Sequence, residues 1–190
     1  PGFGFPNAYF ESISGRTTTG STVMPDLDTL APSLNFWRHM LNWLGGMGII
    51  VLAVAILPLL GVGGMQLYRA EVPGINKDNK LAPRIAQTAK TMWLIYLGYT
   101  VLVVVALLLA GMDGLDAVCH AMSALSLGGF STRNNSVAHF DSVAVELILS
   151  AGMLLGALNF ANHFYALRNR SIKHFFRDEE AIVMFVLLFG

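Results

Sequence analysis

Two short stretches carry residue types that can replace the water around a cation: Thr17-Thr18-Thr19-Gly20-Ser21-Thr22 and Gly128-Gly129-Phe130-Ser131-Thr132. Neither contains a carboxylate, so an ion held there meets oxygen dipoles rather than fixed charge. Backbone carbonyls provide such dipoles without trapping the ion. Glycine accepts the backbone angles that let successive carbonyls point one way, and Thr and Ser hydroxyls add further oxygens. The lack of an acidic ring fits a monovalent ion. Each stretch follows a short helix-like segment, 7–14 and 115–127, whose partly negative C-terminal end favours a cation. Other chemistries have little support. There is no phosphate-binding loop, nucleophile elbow or pair of catalytic carboxylates, and no nucleophile and base at matching depth. The five histidines lack metal-ligand spacing, and the single Cys119 excludes an internal disulfide and a cysteine-built zinc site. An enzyme is not expected.

The elements that position these stretches belong in lipid. Of the 190 residues 54% are hydrophobic and 13% charged, with a mean hydropathy of +0.57, too little polar surface for a soluble chain. A formal net charge of zero removes any bulk electrostatic case for nucleic acid. Three apolar runs, 40–68, 91–112 and 143–160, suit helices crossing a hydrocarbon core about 30 Å thick. Nine of the twelve Lys and Arg residues fall in 69–90 and 168–180, which the positive-inside rule makes cytoplasmic. Asp26, Asp28, Asp113, Asp116 and Asp141 then lie on the opposite side. The segment 115–127 is too short to cross, and a glycine-bearing stretch follows it. That pattern predicts a re-entrant loop, tolerated at depth only where it lines a water-filled path or packs in protein.

The pattern occurs twice. Shifted by 109 residues, Asn7-Ala8 falls on Asp116-Ala117, Ser14 on Ser123, Gly20 on Gly129 and Thr22 on Ser131. A charge-free or nearly charge-free apolar run follows in both copies. The expected architecture is an all-α integral membrane protein of repeated helix–pore loop–helix units. Residues 1–68 hold the pore loop and inner helix of one repeat, and 69–90 a cytoplasmic loop. Residues 91–167 form a complete second repeat, and 168–190 a cytoplasmic loop and the start of a third. The start at Pro1 and the apolar run at 181–190 lead to the expectation of a fragment of a longer polytopic protein.

At these residues the chain resembles the Trk/Ktr/HKT superfamily of potassium-transport membrane subunits, most closely the bacterial TrkH type. The likeness is carried by Phe10-Glu11-Ser12-Ile13-Ser14-Gly15 with Thr17-Thr18-Thr19-Gly20, by Trp43-Leu44-Gly45-Gly46-Met47-Gly48-Ile49-Ile50, by 61–71 (GVGGMQLYRAE) and by Gly128-Gly129-Phe130-Ser131-Thr132. The resemblance implies a four-repeat pore with one filter glycine per repeat, here Gly20 and Gly129. Filter lining is expected from Thr18, Thr19, Gly20, Leu127, Gly128 and Gly129 through their carbonyls. It also implies K+ as the transported ion, no covalently bound cofactor, a homodimer in the bacterial cytoplasmic membrane and a cytoplasmic nucleotide-binding regulatory subunit of TrkA type. A gating loop is implied in a third repeat beyond these residues.

One residue departs from that family. Arg16 stands where an apolar or aromatic residue is usual, and its guanidinium either repels cations from the filter or is neutralised by Glu11. Three readings therefore stay open: potassium uptake, a sodium-permeable relative, and a non-conducting structural or regulatory relative whose only support is Arg16. Elsewhere, Gly45, Gly46, Gly48, Gly152 and Gly156 are expected to permit close helix packing, with a hinge or dimer contact as the alternative. Pro58 predicts a kink. Asn159, Asn162 and His163 face either the pore or the interface. His120, which aligns with Glu11, is expected to be a packed, hydrogen-bonded group, and Asn134-Asn135-Ser136 to be a chance match to a glycosylation acceptor.

Overall fold

The computed structural model describes residues 4–48, 81–158, 160, 163, 166, 181–184 and 186. Among these there is no strand. Five α-helices are present: α1 (Phe5–Arg16), α2 (Pro32–Trp43), α3 (Leu81–Leu109), α4 (Gly114–Leu125) and α5 (Val143–Ala157). A wide turn, Leu44–Gly48, continues α2, and a short 3-10 turn, Ser136–Phe140, precedes α5. Most of the first expected span, 49–68, lies outside the described residues, as does Pro58.

Local chemistry sets the helix starts. Proline in the first turn opens α1 and α2, where its missing N–H costs nothing. The Asp113 carboxylate caps α4 by accepting from Leu115 N, and the Ser142 hydroxyl caps α5 by accepting from Val145 N. Helix α3 begins at Leu81, ten residues before the expected 91. Its apolar, bilayer-length part is Lys90–Leu109, and the charged stretch before it is helical where the sequence reads as loop. Helix α5 ends at Ala157, before the expected 160, because Leu158 is extended, with ψ 145°.

The core is a wedge of α4 between longer helices. Val103 and Leu107 of α3, Ala117, Ala121 and Ala124 of α4, and Val145 and Leu149 of α5 form one buried cluster. The small alanines of α4 let the flanking helices close on it. An aromatic cluster of Trp43, Tyr96, Leu125 and Phe160, with Trp93 packed against it, joins α2 to the second unit. The rings of Trp43 and Tyr96 stack at 5.3 Å. Outward, Leu94, Leu97, Val101, Leu102, Val105 and Leu108 leave an exposed aliphatic face on α3, as a helix in contact with lipid would.

The turn that continues α2 and the apolar helix α5 each break just past a glycine that receives the end of a short helix. A Cβ on Gly45 would lie 2.2 Å from the Arg16 carbonyl oxygen, and one on Gly156 would lie 2.5 Å from that of Leu125. Arg16 and Leu125 are themselves 109 positions apart. Close packing, the expected role of these glycines, is what they perform. The chain then leaves helical geometry at Gly46 (ψ −130°) in one unit and at Leu158 in the other. Side chains take the freed carbonyls. Tyr96 Oη donates to Trp43 O, Trp93 Nε1 donates to Gly48 O, and His163 Nε2 lies 3.1 Å from Leu155 O.

This contact predicts an asymmetry between glycines. Gly156→Val forces a shift against backbone and should cost about 1–3 kcal/mol. Gly98→Ala, on α3 with nothing within 4 Å of its Cβ, should be neutral or stabilising by up to about 1 kcal/mol. Thermal unfolding of the purified protein in detergent checks both.

Candidate functional site

The short helices end alike. Thr18 N donates to Gly15 O and Thr19 N to Ser14 O; in the second unit Leu127 N donates to Ala124 O and Gly128 N to Ser123 O. This is the paired closure of a helix C-terminus that needs a left-handed residue at its pivot. The pivots are Thr18 (φ 53°) and Leu127 (φ 56°). Neither is glycine, and a side chain in that region costs roughly 1–2 kcal/mol. Two residues on, Gly20 (φ 72°) and Gly129 (φ 74°) return to the same region. The two backbones thus repeat their unusual angles at the 109-residue offset that the side chains follow.

The loops also meet. A Cβ on Gly20 would lie 1.8 Å from the Gly128 carbonyl oxygen, so Gly20 has both an angle and a contact that exclude other residues. Gly129 has open space around its Cβ position and is held to glycine by angle alone. Of the expected filter residues, Thr19, Leu127 and Gly129 are exposed, Thr18 and Gly20 are half-buried, and Gly128 is buried. All six come together in the two opposed loops.

Behind the loops sits a buried polar brace that the sequence reading missed. Glu11, 5% exposed, accepts from Arg38 Nε at 3.1 Å and from Val23 N at 2.7 Å, and takes a short hydrogen bond from the Thr22 hydroxyl. Arg38 also donates to Asn35 Oδ1 and Thr22 Oγ1, and its guanidinium lies 4.3 Å from the centre of the Phe130 ring. Glu11 is therefore engaged by Arg38 and not by Arg16, which is exposed at the last residue of α1. Among the described residues the ion pair of Glu11 is with Arg38, not with Arg16.

The second unit builds its brace differently. His120, at the position of Glu11, has Nε2 3.0 Å from the hydroxyl of Ser131, the position of Thr22. Its Nδ1 is 2.8 Å from Asp116 O, so it is packed and hydrogen-bonded as expected. The acid has moved one turn away. Asp116 accepts from Thr132 Oγ1 at 2.6 Å and from Arg133 at 2.6 and 3.1 Å. In both units an acid on the short helix grips the chain just after the glycine.

Away from the helix breaks one residue ties the units together. Asn134 Oδ1 accepts from Leu27 N at 2.8 Å, while Nδ2 donates to Asp26 and Asp28 at 2.7 Å each. The Asn134 hydrogen bond, helped by Thr29, holds the Asp26 carboxyl below its ordinary pKa. The Asn134 side chain is thus fully used within the fold. His163 is buried at the other end of α5, with Tyr99 Oη 3.0 Å from Nδ1, while Asn159 and Asn162 lie outside the described residues. Among the described residues no group of His, Cys, Asp and Glu could hold a metal.

A helical chain with a bilayer-length apolar helix, and two short helices ending in opposed glycine loops, has the organisation of a membrane transport protein. Residues 1–189 match the family TrkH, cation transport protein, and the chain belongs to that family. It is 53% identical over 180 residues to the Trk system potassium uptake protein TrkH of Escherichia coli K12, covering 95% of this chain and 37% of the relative. It is 44% identical over 186 residues to TrkG of the same organism, covering 98% of this chain and 38% of the relative. The crystal structure of the potassium transporter TrkH from Vibrio parahaemolyticus superposes with a TM-score of 0.78 at 44% identity, covering 98% of this chain and 38% of that one. The chain thus spans about two fifths of the length of the relatives it matches.

The Glu11–Arg38 pair is enclosed at 5% exposure on both sides. Glu11→Ala leaves a buried guanidinium without its acid and should lower stability by about 3 kcal/mol. Adding Arg38→Met should recover part of that loss, read as a double-mutant cycle of melting temperatures in detergent.

Proposed function

We propose that this chain is part of the membrane subunit of a Trk-type potassium-uptake system, in which Thr18, Thr19, Gly20, Leu127, Gly128 and Gly129 contribute carbonyls to the filter. The observation that carries the reading is the matched pair of strained loops. The same left-handed angles recur 109 residues apart, on residues that would not choose them. Backbone strain that is repeated and held in each unit by a buried acid paired with an arginine has its reason in what the backbone presents. Two loops give two sides of an ion path. The remaining sides come from further repeats of the longer polypeptide, the arrangement the resemblance implies.

In this reading α1 and α4 are re-entrant half-helices whose carbonyl ends face the ion. Helix α3 is the outer helix of the second repeat, and α2 and α5 begin the inner helices. Residues 1–68 and 91–167 are the two repeats, joined by the cytoplasmic segment 69–90, and 168–190 leads into a third. The aliphatic face of α3 meets the lipid of the bacterial cytoplasmic membrane. A second copy and a cytoplasmic nucleotide-binding subunit complete the system, and the ion crosses by passive, gated conduction without catalysis.

A second reading has a specific observation behind it. Arg16 puts a cation-repelling positive charge at the C-terminal end of α1, and the ion pair of Glu11 is with Arg38. A weakly conducting or sodium-permeable relative follows if that charge dominates. Potassium uptake by the full-length protein in uptake-deficient cells decides. Gly20→Ser should abolish uptake or make it sodium-permeable, because serine meets both the angle and the Gly128 carbonyl. Arg16→Leu should raise uptake only if the charge is a brake. No uptake by the unaltered, membrane-inserted protein would overturn potassium conduction and leave the non-conducting reading.

A further inference from the structure

Part of the buried polar surface of α2 serves the other unit. Asn35, His39 and Asn42 fall at i, i+4 and i+7, one stripe of a helix, and none is more than 4% exposed. Polar groups buried in a membrane helix are costly to keep and mark functional contacts. Asn35 turns to its own unit, donating to Leu27 O at 3.4 Å and accepting from Arg38. His39 and Asn42 turn to the second. The His39 ring lies 6.0 Å from that of Phe130 and 6.2 Å from that of His120. Asn42 Nδ2 is 3.5 Å from Ser123 Oγ.

The closest approach is to the loop backbone. A Cβ on Gly128 would come within 1.9 Å of Asn42 Nδ2 and 2.1 Å of Oδ1. On the other side the Gly128 carbonyl lies against Gly20. The Gly128 peptide is therefore clamped between a side chain of α2 and the first loop. Asn42 is fully buried, and among the described residues its Oδ1 has no hydrogen-bond partner. A buried acceptor kept without a donor needs a reason other than stability.

We infer that Asn42 is a positioning residue for the second loop. Its carboxamide sets how far the Gly128 peptide sits back from the ion path, so a residue of the first repeat tunes the ion preference of the second. This rests on the proposal that 127–129 line a potassium path. It also explains Gly128, whose φ lies outside the left-handed region and whose backbone would accept alanine. The nearest atoms a Cβ would meet there all belong to Asn42.

The test is a double-mutant cycle in the full-length protein, expressed in cells without potassium uptake of their own and normalised to membrane-inserted protein. Asn42→Ala should raise the KM for K+ about three- to tenfold with little change in maximal rate, and should shift K+ over Na+ preference. Gly128→Ala alone should remove uptake, and combining it with Asn42→Ala should restore uptake toward the level of Asn42→Ala. A double variant no better than Gly128→Ala, or an Asn42→Ala effect confined to maximal rate, overturns the inference while unaltered uptake preserves the potassium reading. Melting temperatures of the four proteins in KCl and in NaCl give a readout independent of flux. Relief of Gly128→Ala by Asn42→Ala, with a smaller K+-specific shift in Asn42→Ala than in the unaltered protein, supports the inference. An unaltered protein with neither uptake nor a K+-specific shift overturns the potassium reading and this inference together.

Discussion

A backbone group that leaves a helix inside a bilayer must find a partner, and the described structure is arranged around that demand. Each short helix closes its last carbonyls with its own amides, through a left-handed pivot that a bulky residue has to endure. Where α2 and α5 break beside those ends, Tyr96, Trp93 and His163 reach the carbonyls set free. The glycines at 45 and 156 let the broken helix come close enough for these exchanges. The carbonyls at 18–20 and 127–129 are the ones that the proposed filter would offer to an ion.

The two units share a backbone more closely than they share side chains. Left-handed angles agree within a few degrees at 18 and 127 and at 20 and 129. Yet the hydrogen bond that anchors the following residue is made by a carboxylate in one unit and an imidazole in the other, Glu11 with Thr22 and His120 with Ser131. The acid and its arginine have been relocated rather than lost, to Asp116 and Arg133. A loop held at its far end tolerates either chemistry so long as the angle before it is kept.

Much of this was legible in the residues. The 109-residue offset and the glycines at 20 and 129 stood out because both obey a backbone rule, and such rules leave the same letters each time. Helix boundaries were less visible, since 81–90 carries charge and reads as loop although the helix already begins at Leu81. The braces were hidden because Glu11 and Arg38 are 27 positions apart across an irregular segment, with no period to connect them. One signal for them was present. Only Arg16, Arg38 and Arg133 lie outside the two basic loops. An arginine on the acidic side of a membrane protein needs an acid, and two of the three have one buried beside them. Asn42 gave no such signal, because its role depends on a glycine 86 positions later.

Asn134 sets a timing for assembly. The Leu27 amide and the Asp26 and Asp28 carboxylates wait for a side chain that leaves the ribosome more than a hundred residues later, about five to twenty seconds at ordinary elongation rates. During that interval the first loop lacks its fastening to the second. Asp28 stays exposed and Asp26 half-buried in the finished fold, so until the tie forms water can serve both carboxylates. A nascent chain can therefore leave this tie open while the second unit is still being threaded into the bilayer, and fasten the two loops only once both have arrived.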